Sequence, residues 1–511
     1  MKHLLLALLL GAASATGFAP LGLWPLTIAA YALLIAMTIS RQQLRSAFAT
    51  GWAFGVGQFI VGLNWIATAF TYQAAMPAWL GWIAVVLLSL YLAVYPALAT
   101  AIAWRFGKAM PLTFVLFFAA AWIVTEYLRA FVFTGFAWNP LSAIAIAHIG
   151  SGDVANGLAS SARWIGTYGV SGLIVLLAGA FYLGWQRRWT AALGIGALPV
   201  AASIAGVIAV SSIATVDPDA SAIRVIQPNI NQNEKWDADL ALRNFNRLVE
   251  RTGETGDKPR LIFWPEAAVP EFIEDDPMAR ARISSLLGEE DLLLLGASKL
   301  IWENIENGRR RTIGARNAFY VMDANGDLLA RYDKAHLVPY GEYLPMRPVL
   351  ESIGLSRLAP GDLDFWPGPG PQTLELPGFG TVGGQICYEM VFSGEVVERA
   401  NRPDFLFNPS NDAWFGAWGP PQHLAQARLR AIEEAMPIIR STPTGVSAII
   451  DARGVVVDHI PYHQAGTIDA RLPAPAPPTL FSRFGNILPM IFAAMLIGIS
   501  LLLGWRERRR G

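Results

Sequence analysis

At 511 residues the chain is long enough for two or three domains. It is 53% hydrophobic and 15% charged, well short of the about 25% charge usual in soluble domains. Its formal net charge of zero leaves no electrostatic case for binding nucleic acid, and its single cysteine, Cys387, excludes an internal disulfide or a cysteine-based zinc site.

The charge deficit is uneven. Residues 1–213 are apolar with scattered charges, 214–480 have the composition of a soluble domain, and 486–505 are apolar again. A membrane-spanning helix needs about 20 mostly apolar residues. The pattern predicts eight spans, near 4–19, 21–39, 47–70, 78–104, 111–129, 168–185, 190–213 and 486–505. Three parts follow: a seven-span bundle over 1–213, a globular domain over 214–480, and a last span with a basic tail over 481–511. If the spans alternate, Lys2, Arg41 with Arg45, Arg105 with Lys108, Arg187 with Arg188, and Arg506 with Arg508, Arg509 and Arg510 all fall on one side, while 71–77 carries no charge. The positive-inside rule then predicts both termini cytoplasmic and the globular domain outside. Lys2, the Leu4 to Leu10 run and Ala13-Ser14-Ala15 also fit a cleavable signal peptide. Retention is expected because apolar sequence continues through Phe18-Ala19-Pro20-Leu21, and cleavage would leave the orientation unchanged.

Segment 130–167 holds Gly135, Pro140, Asp153, Asn156 and Arg163 among apolar residues, with Trp138 and Trp164. It reads as an interfacial or re-entrant segment on the outer side. Glu126 and Arg129 stand three apart on one helix, a spacing that lets them pair.

The globular domain alternates apolar strands with amphipathic helices. Strands are predicted at 223–227, 261–264, 292–297, 318–322, 328–332, 382–386, 404–408, 438–441, 447–450 and 466–469, and helices at 237–251, 277–287, 389–400 and 420–435. The Asp/Asn-Gly runs at 323–327 and 451–454 predict turns. This order predicts a layered α/β or α+β sandwich. Pro473-Ala474-Pro475-Ala476-Pro477-Pro478 is a stiff linker to the last span.

Three ionisable groups stand where strands stop. Pro265 ends one strand and leaves Glu266 at its edge. Lys334 follows Tyr332-Asp333. Cys387 follows Gly383-Gly384-Gln385-Ile386, at the entry to the helix expected over 389–400, where free N–H groups and the helix dipole would favour a thiolate. A carboxylate, an ammonium and a thiol form a set suited to acyl transfer. Each also has a plainer fate: Glu266 as a cap or surface ion pair, Lys334 paired with Asp333, Cys387 as an inert buried thiol. His336, followed by Leu337-Val338-Pro339, is expected to be structural. No His/Asp/Glu cluster has metal-ligand spacing.

Glu266, Lys334 and Cys387, set in Trp264-Pro265-Glu266, Lys334-x-His336-Leu337-Val338-Pro339-x-Gly341-Glu342 and Cys387-Tyr388-Glu389, resemble the Glu-Lys-Cys triad of the nitrilase, or carbon–nitrogen hydrolase, superfamily. With seven spans before the domain and one after, the chain resembles the bacterial apolipoprotein N-acyltransferase family. Glu126-x-x-Arg129, Thr134-Gly135-Phe136-x-Trp138 and Asn411-Asp412-x-Trp414-Phe415 are similar to that family too. The resemblance implies an α-β-β-α nitrilase-like domain on the periplasmic face of the inner membrane, acting as a monomer without metal or cofactor. It implies a phospholipid as acyl donor and a diacylglyceryl-modified apolipoprotein as acceptor, through a thioester on Cys387. Glu266 would be the general base, and Lys334, with the Tyr388 N–H, would stabilise the oxyanion. Glu342 would hold Lys334. Tyr388, Glu389, Trp236, Asn317 and Trp414 would surround the substrate. A membrane-tethered amidase would use the same triad, and a transporter or lipid-binding protein is the reading from another class.

Overall fold

The computed structural model describes residues 2–72, 77–146, 148, 156–213, 220–235, 237–256, 258–304, 310–352 and 364–509. Twelve strands among them form two six-stranded sheets. The first, in the order β12-β1-β2-β3-β4-β5, comprises Gly466–Arg471, Ala222–Gln227, Arg260–Phe263, Leu292–Asn304, Arg310–Met322 and Leu328–Asp333. The second, β11-β10-β9-β8-β7-β6, comprises Val456–Ile460, Ser447–Ile450, Ile438–Ser441, Phe405–Pro409, Gly380–Gly384 and Thr373–Leu376. Each has three parallel strands at its centre, β1-β2-β3 and β7-β8-β9.

The sheets pack face to face because their apolar strands have no polar side to turn outward. Phe263 meets Phe405 and Phe407 with ring centroids 6.0 and 5.1 Å apart, and Phe319 meets Phe407 at 5.2 Å. Helices Ala241–Thr252 and Pro277–Ser284 cover the outer face of the first sheet through Leu248 and Ile283. Helix Gly419–Glu434 covers the second through Leu424, Ala427 and Ala431. The domain is therefore an α-β-β-α sandwich.

The layer made by Gly419–Glu434 has a second neighbour. Leu429 and Ile432 on that helix, with Tyr388, Val391 and Phe392 from the turn after β7, belong to the core of the apolar helix bundle. Five helices among the described residues are long and apolar enough to cross a membrane: Leu80–Gly107, Pro111–Arg129, Ala162–Trp185, Trp189–Ser211 and Ile487–Glu507. The pair Leu44–Gly62 and Ile66–Tyr72, bent by 50°, makes a sixth if it is one span. The first two expected spans are helices too, Lys2–Ala15 and Trp24–Ile39, but at 14 and 16 residues they fall short of a full crossing. All eight predicted segments are thus helical, fewer of them at full spanning length.

Four expectations change. Residues 389–400 are not a helix; a single 3₁₀ turn, Cys387–Val391, stands in their place. Strands β6 and β11 lie outside the predicted set: β6 alternates over only four residues, and β11 interrupts its apolar residues with Asp458 and His459. Strands β3 and β4 run further than expected, to 13 residues each, since their outer halves are polar. Trp138 is fully buried beneath the globular domain instead of sitting at a lipid interface, and Arg129 and Glu126 do not pair with each other. The Arg129 guanidinium donates to the carbonyls of Phe136 and Trp138 (3.1 and 2.8 Å), and Glu126 accepts from the Leu141 N–H (2.7 Å). The two charges hold the segment 136–141 from both ends, satisfying buried backbone groups.

Gly296 on β3 shows how the sandwich positions the loop after β2. A Cβ there would lie 2.6 Å from the Ala267 nitrogen and 2.7 Å from Glu266 Cα, both backbone atoms that cannot swing aside. Gly296→Ala is expected to cost about 1–3 kcal/mol by overpacking and to displace Glu266. Thermal unfolding, with thiol labelling of Cys387 as a readout of the site, checks both effects.

Candidate active site

Glu266, Lys334 and Cys387 lie just beyond the C-terminal ends of β2, β5 and β7. The edge where parallel strands end is where α/β folds bind ligands. The sandwich brings the three together. Lys334 Nζ stands 3.8 Å from Glu266 Oε1, and the charges of both act on the Cys387 thiol. All three are buried, Lys334 to 1% exposure and Cys387 to 5%.

Two polar residues complete the cluster. Lys334 Nζ donates to Glu342 Oε1 at 2.9 Å, and Glu342 Oε2 accepts from the Val338 N–H at 2.8 Å. Asn317, on β4, donates its amide to Glu266 Oε1 (2.6 Å) and Glu342 Oε1 (2.9 Å), bridging the two carboxylates. Its carbonyl oxygen accepts from the Lys334 N–H (2.8 Å), which ties the lysine to the next strand. Burial alone would discharge the ammonium, but the two carboxylates overcome it and hold the Lys334 pKa above its ordinary value.

The thiol behaves in the opposite way. Burial, then the Glu266 charge, push its pKa well above the ordinary value; Lys334 and an N–H from Asn411 only partly oppose them. The thiolate expected from a helix dipole is therefore not the resting form, because no helix of useful length follows Cys387. The resting site is a neutral thiol beside an ion pair. The Glu266 carboxylate, its Oε2 buried without a hydrogen-bond partner among the described residues, is the group beside the thiol able to accept a proton.

Cys387 itself has φ +52°, a strained conformation for a residue with a side chain. Two clamps hold it. The Glu389 carboxylate accepts from Tyr332 Oη (2.9 Å) and the N–H groups of Ala335, His336 and Ile386 (2.7, 3.1 and 2.6 Å), joining the lysine loop to the cysteine turn. Burial nevertheless raises its pKa to about 7. On the other side His423 Nε2 lies 3.0 Å from the Cys387 carbonyl. A carbonyl only accepts, so Nε2 carries the proton. His423 Nδ1 lies 3.1 Å from both Arg440 Nη2 and Asp412 Oδ1; burial, then the Arg440 charge, lower the ring's pKa against the opposing pull of Asp412. Arg440 grips both oxygens of Asp412 (2.6 and 2.5 Å). His423 and Arg440 were missed from sequence, although an arginine inside the apolar strand Ile438–Ser441 is a legible oddity.

The other expected site residues separate. Tyr388 stacks on Trp138 (6.5 Å, 15°) and points its hydroxyl at the Gly135 carbonyl (3.4 Å). Trp414 lies on the turn Asp412–Phe415 with its ring edge-on to Tyr72 at 5.8 Å. Trp236 lies outside the described residues. His336 stacks on Phe392 at 3.8 Å, and burial lowers its pKa to about 4, which suits packing and not base chemistry. Asp333 pairs with Arg316 and Arg331, not with Lys334. A further amine, Lys235, was not foreseen. It donates to the Glu266 carbonyl at 2.9 Å, its pKa is lowered to about 8 by burial, and it lines a cavity of about 290 Å³ with Glu266, Phe245 and Pro443.

Residues 10–180 match the family described as apolipoprotein N-acyltransferase N-terminal domain, and 222–476 match the carbon–nitrogen hydrolase family. The chain is 34% identical to an apolipoprotein N-acyltransferase of Rhodopseudomonas palustris over 521 residues, covering 98% of this chain and 95% of the relative. It is 35% identical to one from Bradyrhizobium diazoefficiens over 526 residues, covering 99% and 95%. Among solved structures, Saccharomyces cerevisiae Nit3, of the nitrilase superfamily, aligns over 51% of this chain and 93% of its own at 18% identity, with a TM-score of 0.35.

Two outcomes are expected. Because the resting thiol is protonated, iodoacetamide labelling of Cys387 should keep rising with pH past about pH 9; a plateau by neutral pH would mean a preformed thiolate. Glu389→Gln sets an NH₂ against at least one of four buried donors, which should cost about 1–3 kcal/mol. A lowered thermal midpoint together with slower labelling would register the loss of the clamp.

Proposed function

Because the chain belongs to the apolipoprotein N-acyltransferase family, we propose that it moves an acyl chain from a membrane phospholipid to the N-terminal α-amine of a diacylglyceryl-cysteine on an apolipoprotein. The observation that carries this reading is a buried Cys-Glu-Lys cluster seated against an apolar helix bundle. Both substrates are lipid-anchored, so the domain must work where lipid arrives, and the Tyr388–Trp138 contact keeps the cysteine turn against the bundle.

In the first half-reaction Glu266 takes the Cys387 proton as sulfur attacks the ester carbonyl of the phospholipid. Lys334 and the backbone N–H of Tyr388 stabilise the oxyanion. The ester C–O bond breaks, Glu266 returns the proton to the departing lysophospholipid oxygen, and a thioester remains. In the second, the acceptor amine attacks the thioester, Glu266 takes a proton from nitrogen, and the C–S bond breaks to give an amide and the thiol. A thiolate leaves more readily than an alkoxide, which favours reaction with an amine. Burial of the cluster disfavours hydrolysis, the outcome a tethered amidase requires. Asn317 and Glu342 keep the Glu266–Lys334 pair in register, and Glu389 sets the cysteine turn. Trp236 and Trp414 are assigned to substrate contact.

The basic residues between helices support an inner-membrane orientation with both termini cytoplasmic and the globular domain periplasmic. The boundaries 1–213, 214–480 and 481–511 divide bundle, catalytic domain and final span.

Incubation with phospholipid should give an acyl adduct on Cys387 by mass spectrometry. Cys387→Ala should abolish it with the fold intact, and Glu266→Gln should slow it by about 10²-fold or more. Added diacylglyceryl peptide should discharge the adduct to N-acyl product. Free fatty acid as the dominant product would favour the amidase reading, and full activity in Cys387→Ala would remove the thioester.

A further inference from the structure

A second cavity, of about 720 Å³, opens where the helix bundle meets the globular domain, away from Cys387. It lies between the start of Ala162–Trp185, the end of Trp189–Ser211 and the proline-rich linker, and its lining includes Arg163, Trp164, Ser212, Ile213, Pro477 and Leu480. Helix Gly419–Glu434 separates it from the cluster around Cys387. His423, near one end, touches the cysteine turn, while Glu433, ten residues on, accepts from Thr479 beside the cavity. Ten residues of helix span about 15 Å.

Its chemistry is one-sided. Arg163 Nη1 is buried with no hydrogen-bond partner among the described residues. Among the described residues the lining contains no carboxylate, and apart from Arg163 its polar side-chain groups are the hydroxyls of Ser212 and Thr479 and the indole of Trp164. A buried guanidinium nitrogen without an acceptor costs free energy that a bound anion would recover. Leu480 of the lining is exposed, and so are apolar residues on the elements that supply the lining: Phe484, four residues further on, and Ile204 and Ile208 on Trp189–Ser211. An arginine and a tryptophan at the end of a spanning helix mark the depth of lipid head groups.

We propose that this cavity is a binding site for an anionic phospholipid, distinct from the Cys387 site. The lipid phosphate pairs with Arg163 and the Ser212 hydroxyl, and the acyl chains lie along Ile204 and Ile208. With an arginine and no carboxylate among the described lining residues, the cavity favours a net-negative head group over a zwitterionic one. The bound lipid braces the linker, which is fastened at the end of Gly419–Glu434 by Ala476 N–H to the Ala435 carbonyl (3.0 Å) and by Thr479 to the Glu433 carbonyl. This site stands whether or not Cys387 forms a thioester.

The test is native mass spectrometry of the full chain in detergent, titrated with phosphatidylglycerol or phosphatidylcholine. The wild type should hold one phosphatidylglycerol about tenfold more tightly than phosphatidylcholine, the factor one charge-assisted hydrogen bond supplies. Arg163→Gln should bring the two to parity, and Ala209→Phe, which fills the cavity and leaves the arginine, should lose the retained lipid. Arg483→Gln, which removes an exposed arginine on the same side of the bundle, should change nothing. An unchanged preference in both Arg163→Gln and Ala209→Phe would overturn the proposal. So would an equal loss in Arg483→Gln, or soluble glycerophosphoglycerol binding as tightly as the lipid.

Discussion

Helix Gly419–Glu434 is polar and has no water on either side. Four of its last seven residues, Arg428, Arg430, Glu433 and Glu434, are charged and buried. A helix in that position needs partners for its buried charges, since an unpaired one costs several kcal/mol (about 3–5). The partners come from both sides. Gln422 accepts from the indoles of Trp65 and Trp138, and Gln426 from the Asn139 N–H. Glu433 accepts from the Thr167 N–H and Ser393, and Arg430 donates to the Val391 carbonyl. One element thus serves as the outer layer of the sandwich and the inner wall of the bundle. The orientation of the whole domain on the helices follows from that dual satisfaction.

The same helix reaches the chemistry. His423 is its point of contact with the Cys387 carbonyl, and Asp412 and Arg440 lock the ring behind it. A residue at φ +52° persists only when its surroundings over-determine it. Here the Glu389 clamp holds one side and the histidine the other. Electrostatics at the cluster follows from burial. The low dielectric that keeps the thiol neutral also makes the carboxylate–ammonium pair beside it strong. The cluster therefore rests as a neutral thiol beside a buried carboxylate–ammonium pair.

The re-entrant stretch 136–142 shows the same rule on the membrane side. Its backbone leaves helical geometry where no solvent is available, and Arg129 and Glu126 take over its unpaired carbonyls and N–H groups. Gly166, at φ +67°, breaks helix Ala162–Trp185 so that Phe481 packs against it, and the Thr167 N–H just after the break meets Glu433. Such local departures from regular structure cluster at the seam between bundle and sandwich, where each is held by a buried side chain.

Apolar periodicity and composition located the long apolar helices and the central strands, because burial on both faces leaves a run such as Leu292 to Leu295 no other reading. Strand-end positions likewise set Glu266 and Lys334 apart from other residues of their kinds and placed the single cysteine, Cys387, at a turn, since chain stops are local events. Tertiary structure decided what no local pattern encodes. Asn317 bridges two carboxylates 51 and 25 residues away, and His423 reaches Cys387 across 36. The helix expected after Cys387 failed because Glu389, whose apolar neighbours suggested an amphipathic face, turns its carboxylate back into four donors and stops the chain in a single turn. Charge within an apolar context was the residue-level signal for these places, but its meaning depends on which distant group supplies the partner, and only the folded chain determines that.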